Sequence, residues 1–146
     1  GFELDVNYQL SSAFSAYVSY GRILRARLDN PAPGTGAQLS VPHHTWKAGL
    51  QHRRAAGPGT LTLNGDVYVT AGNPYYMGTP LYERDMPTYV RYDLKASYDI
   101  GKVQASLFAT LHPHKFASDI AYGTAAGLVV STVPQASGGA SLRYFF

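Results

Sequence analysis

Apolar and polar residues alternate with a period of two along most of the chain. In "FELDVNYQL", Phe2, Leu4, Val6, Tyr8 and Leu10 share one parity, and Glu3, Asp5, Asn7 and Gln9 share the other. Successive side chains of an extended strand point to opposite faces, so such a segment has one apolar and one polar face. The pattern returns with Phe14, Ala16, Val18 and Tyr20, and with Trp46, Ala48 and Leu50 set against Lys47, Gln51 and Arg53. It continues in "LTLNGDVYVTA", "VRYDLKASYDI" and "VQASLFATL". It closes with Ala140, Leu142, Tyr144 and Phe146 set against Ser141, Arg143 and Phe145. These segments predict seven strands and no helix. Arg22 falls on the apolar parity of its strand, which suggests either a bulge at Gly21 or a side chain that snorkels from a membrane boundary.

The connections alternate too. "SSA", "AAGPG" and "GK" are short, whereas the stretches from Asp29 to His44, from Gly72 to Pro87 and from His112 to Pro134 are long. An antiparallel meander then carries all short turns at one end and all long loops at the other, as outer-membrane barrels do. The last strand descends from the long-loop end, which brings Phe146 to the short-turn, periplasmic side.

Alternation alone leaves two media open for the apolar face, a protein core or lipid. A soluble β-domain turns that face inward, and a membrane barrel turns it outward around a polar lumen. The strand charges Glu3, Asp5, Lys47, Arg53, Asp66, Arg91, Asp93, Lys95, Asp99 and Arg143 all lie on the polar parity. Both architectures require that. The short/long rhythm and a chain ending in Tyr144, Phe145 and Phe146 favour the barrel, where terminal aromatics join an interfacial girdle. Twelve Tyr among the 146 residues fit a molecule with much interface between oil and water. Only 14% of residues are charged. The twelve Lys and Arg are spread along the chain, so no nucleic-acid partner is expected. Without cysteine there are no disulfides or thiolate metal sites. No apolar run is long enough for a transmembrane helix. The opening "GFELDV" carries no initiator Met or signal peptide, the expectation being a processed chain or a piece of a longer one. Bacterial single-chain barrels have an even strand number of about eight or more, so seven strands imply a fragment of a larger barrel.

The segments resemble the last strands of the TonB-dependent outer-membrane receptors. "GFELDVNYQLSSAFSAYVSYG" is similar to the family's Gly-x-Glu-Leu strand, short turn and returning Tyr-containing strand. "VPHHTWKAGLQHR" resembles its Val-Pro-x-His re-entry after a long loop, and "MPTYVRYDLKASYDIGKVQASLFATL" its Pro-x-Tyr, Asp-Leu and Ser-Tyr hairpin. "TLHPHKF" fits at Leu111, Lys115 and Phe116 and departs at Thr110, His112, Pro113 and His114. The resemblance implies an all-β antiparallel transmembrane β-barrel meander, residues 1–146 being the C-terminal part of a roughly 22-stranded barrel without its plug domain. It implies the bacterial outer membrane and energy-coupled uptake of a ferric siderophore or similar bulky nutrient. The implied partners are outer-membrane lipid, the plug, the remaining strands and the barrel-assembly machinery. TonB would be met only through a missing N-terminal region. Tyr144 and Phe146 resemble the family's C-terminal assembly signal. A passive porin-type fragment and a soluble ligand-binding β-domain are the rivals.

No catalytic motif, phosphate loop or metal-ligand spacing stands out, so no enzyme activity, cofactor or metal is expected. Candidate ligand contacts lie in the long connections. Tyr75, Tyr76 and Tyr82 cluster with Arg84, aromatic faces and a cation that suit a bulky anionic chelate or, alternatively, an interfacial belt. His43, His44, His112 and His114 flank two long loops, either as chelate contacts or as solvated, hydrogen-bonded histidines. Arg91, Asp93 and Lys95 are expected in the lumen, against a plug domain or in water.

Overall fold

The computed structural model describes residues 1–27, 29, 41–76, 83–113, 118–124, 127–132 and 134–146. Among them every regular element is a strand. They run β1 (Phe2–Gln9), β2 (Phe14–Arg22), β3 (His44–Ala56), β4 (Gly59–Ala71), β5 (Asn73–Tyr76), β6 (Glu83–Met86), β7 (Tyr89–Ile100), β8 (Val103–Leu111), β9 (Ser118–Thr124), β10 (Gly127–Thr132) and β11 (Ala136–Tyr144). Seven of them form one antiparallel sheet in the order β1-β2-β3-β4-β7-β8-β11. The other four pair as two hairpins, β5 with β6 and β9 with β10. Both hairpins arise inside stretches expected to be long loops. Their sequences carry no single apolar parity.

The short connections are built by specific residues. Gly57-Pro58 joins β3 to β4 and Gly101-Lys102 joins β7 to β8, with φ of 59° at Gly57 and 57° at Gly101. A two-residue hairpin with a positive φ at its first position follows the right-handed strand twist, and glycine enters that region without steric cost. Between β1 and β2, Ser11 does the equivalent work with its side chain: its Oγ accepts from the backbone N–H groups of Ala13 and Phe14, both at 3.2 Å.

The ladder holds constant register across the sheet, which lines residues into rungs on each face. On the apolar face, Tyr8, Ala16, Leu50, Gly65, Leu94, Ala109 and Gly138 form one rung. On the polar face, Asn7, Tyr17, Gly49, Asp66, Asp93, Thr110 and Ser137 form another. Register is unbroken from Phe2↔Arg22 to Gln9↔Ser15, so Gly21 hosts no bulge and Arg22 stays on the apolar parity. β3 also extends beyond its expected end to Ala56, which puts Arg54 on the apolar parity as a second exception.

The apolar face is uncovered. Leu142 is 77%, Leu107 64% and Leu50 51% exposed, and no large side chain among the described residues is fully buried. Contacts between elements run between paired strands, so among the described residues there is no second layer. The two cations on this face bracket its oily part. Arg22 lies opposite His44, and Arg54 follows His44 by ten residues along β3. Ten residues span ~34 Å of extended strand, or ~24 Å at a tilt of about 45°, against an apolar band about 25 Å tall in outer-membrane barrels. Trp46, Ala48 and Leu50 lie between them, and Phe14 stacks on His52 at 4.1 Å, covering its ring.

The last strand begins earlier than its alternation suggests, at Ala136, and ends at Tyr144. The N–H of Phe145 still donates to the Lys102 carbonyl at 2.8 Å, closing the sheet at the short-turn end. On the polar face of this hairpin, Phe108 stands directly opposite Gly139, and its ring occupies the space a side chain at 139 would need.

Candidate functional site

The polar wall is tied together by side chains reaching across the strands. Tyr17 of β2 lies over Gly49 of β3 and donates its phenol to the carboxylate of Asp66 on β4. A Cβ at position 49 would overlap both the Tyr17 ring and the Asp66 oxygen, so the bond spans three strands only because the middle one carries glycine there. Lys47 sits 5.1 Å from the Tyr17 ring centroid and Arg91 5.3 Å from that of Tyr68, both within cation–π range.

Asp66 faces Asp93 directly across β4 and β7, a juxtaposition of like charges that needs compensation. Asp93 accepts from Arg91 Nε at 2.9 Å and from Thr110 Oγ1 at 2.7 Å, while Tyr17 serves Asp66. Below this rung Gln51 donates to Asn64 at 2.9 Å, Ser106 to Ser97 at 3.0 Å and Gln104 to Asp99 at 2.7 Å. Of the three expected lumen charges, Arg91 and Asp93 therefore pair with each other, and Lys95 stands exposed one rung lower, opposite Asn64 and Phe108. Periodicity assigned the face of Tyr17 and Asp66 but not their partnership. Reading that from sequence requires aligning three strands through two turns before noticing that Gly49 falls between them.

At the long-loop end, the starts of β3 and β7 meet the ends of β4 and β8. The backbone N–H of His43 donates to the Gly72 carbonyl at 2.9 Å, beside the base of the β5–β6 hairpin. His44 belongs to the apolar face, its Nδ1 2.8 Å from the Tyr20 hydroxyl. Tyr20 in turn packs on Trp46 at 4.0 Å and on Phe2 at 5.4 Å, an aromatic cluster at the outer end of the sheet. His112 is 5% exposed and packs against Tyr89 at 5.4 Å. In the β5–β6 hairpin, Tyr75 pairs with Arg84 and Tyr76 with Glu83 in backbone register. Tyr82 and His114 lie outside the described residues. Among the described residues no three metal-ligating side chains converge. Tyr144 and Phe146 meet edge to face at 5.3 Å at the opposite, short-turn end.

A two-faced sheet with an uncovered apolar side and a cross-linked polar side is the wall of a water-filled or plugged barrel. The family model described as "TonB dependent receptor-like, beta-barrel" matches residues 1–111, the stretch from β1 through the last residue of β8. The chain belongs to the TonB-dependent receptor β-barrel family. No curated protein and no solved structure matches it. Membership of a TonB-dependent receptor barrel implies the bacterial outer membrane, a receptor or transport role rather than an enzymatic one, and a plug, TonB and a ligand as general partners. β11 lies beyond the matched stretch yet continues the sheet through an unbroken ladder with β8.

Proposed function

We propose that residues 1–146 form the C-terminal part of the barrel wall of a receptor that takes up a ferric siderophore or similarly bulky anionic chelate, with coupling supplied through TonB. The observation that carries this reading is the asymmetry of the sheet. Its outward face is apolar and bare, while its inward face is a charged, hydrogen-bonded lattice suited to a polar occupant. A plug domain docked there satisfies the exposed Lys95 and the lumen-facing sides of Arg91 and Asp93. Tyr75, Tyr76, Tyr82 and Arg84 contact the ligand from above. The direct pairing of Tyr75 with Arg84 supports this by bringing an aromatic and a cationic position together. His44 and His112 serve the rim, since each is engaged by a tyrosine. Tyr144 and Phe146 act as the assembly signal.

The test is uptake of radiolabelled ferric siderophores under iron limitation by cells that express the full-length protein. Loss of uptake on deleting either its gene or TonB is the expected result. Uptake that persists without TonB would instead favour a passive porin-type channel.

A further inference from the structure

Leu107 stands alone on the apolar face, ringed by four alanines. Ala96 and Ala140 lie opposite it on β7 and β11, and Ala105 and Ala109 precede and follow it by two residues on β8. Two depressions in this face, of about 600 Å³ and 370 Å³, share Ala96 and Leu107 and so join as one trough. The smaller begins at Leu63 and Leu94, and the larger descends to Leu61, Tyr98 and Leu142 toward the short-turn border. At that border the rung continues to a cation. Arg54 opposes Leu61, Leu61 opposes Tyr98, and Tyr98 opposes Ala105. Tyr98 lies against Gly59, where a side chain would meet its ring, and its hydroxyl donates to the Ala56 carbonyl at 2.8 Å. The aromatic wall of the trough is thereby fastened to β3, the strand that carries Arg54.

An alanine floor between leucine walls leaves room for a flexible hydrocarbon chain. A tyrosine and an arginine at its lower end are residues that sit where hydrocarbon gives way to headgroups. Arg54 is exposed, and among the described residues no acidic side chain pairs with it through a salt bridge. The acidic residues of the sheet strands all lie on the polar parity, so a second copy packed face to face would bring Arg54 no anion. A guanidinium fork matches phosphate oxygens in pairs. An amphiphile with an anionic head therefore fits both ends of the trough.

We propose that the trough beside Leu107, together with Arg54, binds an anionic phospholipid of the periplasmic leaflet, with an acyl chain along Ala96 and Ala105 and the phosphate at Arg54. The proposal rests on the outer-membrane barrel reading and adds a lipid partner to it. Nothing in it depends on which nutrient is carried.

The experiment uses the full-length protein reconstituted into vesicles of equal phosphatidylglycerol and phosphatidylcholine. Retained lipid is counted by native mass spectrometry after extraction into mild detergent. The wild type is expected to retain phosphatidylglycerol in preference to phosphatidylcholine. R54Q should lose about fivefold of that preference, while R22Q, at the opposite border, should keep it. A105L/A140L, which fills the trough without removing apolar surface, should retain several-fold less of both lipids while entering the vesicles as fully as the wild type. Wild-type retention by either R54Q or A105L/A140L overturns the proposal alone. So does a wild type that leaves the membrane as a lipid-free dimer, which would make the trough a contact between copies. Failure of the wild type to enter the vesicles overturns the barrel reading and the proposal with it.

Discussion

Residue 49 is a place where the missing side chain matters more than most present ones. The Tyr17 ring fills the space above it, and the phenol–Asp66 bond runs through that space. Gly49→Val drives a branched side chain into the ring, for an expected loss of about 1–3 kcal/mol from overpacking. Tyr17→Phe removes only the donor and should cost about 1 kcal/mol, with Asp66 left beside Asp93. Urea unfolding of the full-length barrel in detergent measures both, and the double variant should cost less than the sum because both substitutions disrupt one arrangement. Equal stability of G49V and wild type would mean that the ring does not lie over β3. The polar parity of Tyr17, Asp66 and Asp93 was legible from alternation. Their connection was not, since it is a property of three strands in register and each strand's pattern is silent about its neighbours.

At the scale of the element, each long strand carries two chemistries one residue apart. Leu94 and Lys95 are adjacent in β7, yet Leu94 sits on the apolar face midway between the Arg22 and Arg54 levels and Lys95 on the polar one. Leu94→Arg should therefore cost about 2–4 kcal/mol, the penalty for a cation near the bilayer midplane. Lys95→Gln should stay within about 0.5 kcal/mol, as for a solvated position. The same denaturation assay compares them, and similar costs for the two would remove the basis for assigning lipid to one face. All seven sheet strands were visible in the alternation, because each has one face in contact with an apolar medium. The ends were less visible. β3 outran its pattern through Arg54, Ala55 and Ala56, where a cation at the membrane boundary no longer obeys the parity rule. β11 began early at Ala136 because Ser137, Gly138 and Gly139 carry little hydrophobic contrast. The β5–β6 and β9–β10 hairpins form sheets of their own, and no alternation announces them.

For the whole molecule, the decisive fact is that the sheet is open. Among the described residues β1 pairs only with β2, and β11 only with β8, so each presents a free edge there. Unpaired strand edges seek partners, and in a barrel they find them by closure. The C-terminal aromatics lie at that edge. Deleting Phe146 from the full-length protein, or replacing Tyr144 with Ala, should lower the amount of receptor reaching the outer membrane several-fold, measured by immunoblot of membrane fractions. Arg143→Gln, on the other face of the same strand, should leave it unchanged. Unaltered levels after loss of both aromatics would leave them as girdle residues alone. The seating of Phe108 on Gly139 bears on the same edge. Sliding β11 by two residues would bring Ser137 or Ser141 under that ring, where a side chain stands in its way. The aromatic thus works as an index pin: it admits one alignment of the final hairpin, and whatever strand zips onto β11 inherits that alignment, and with it the stagger of the entire cylinder.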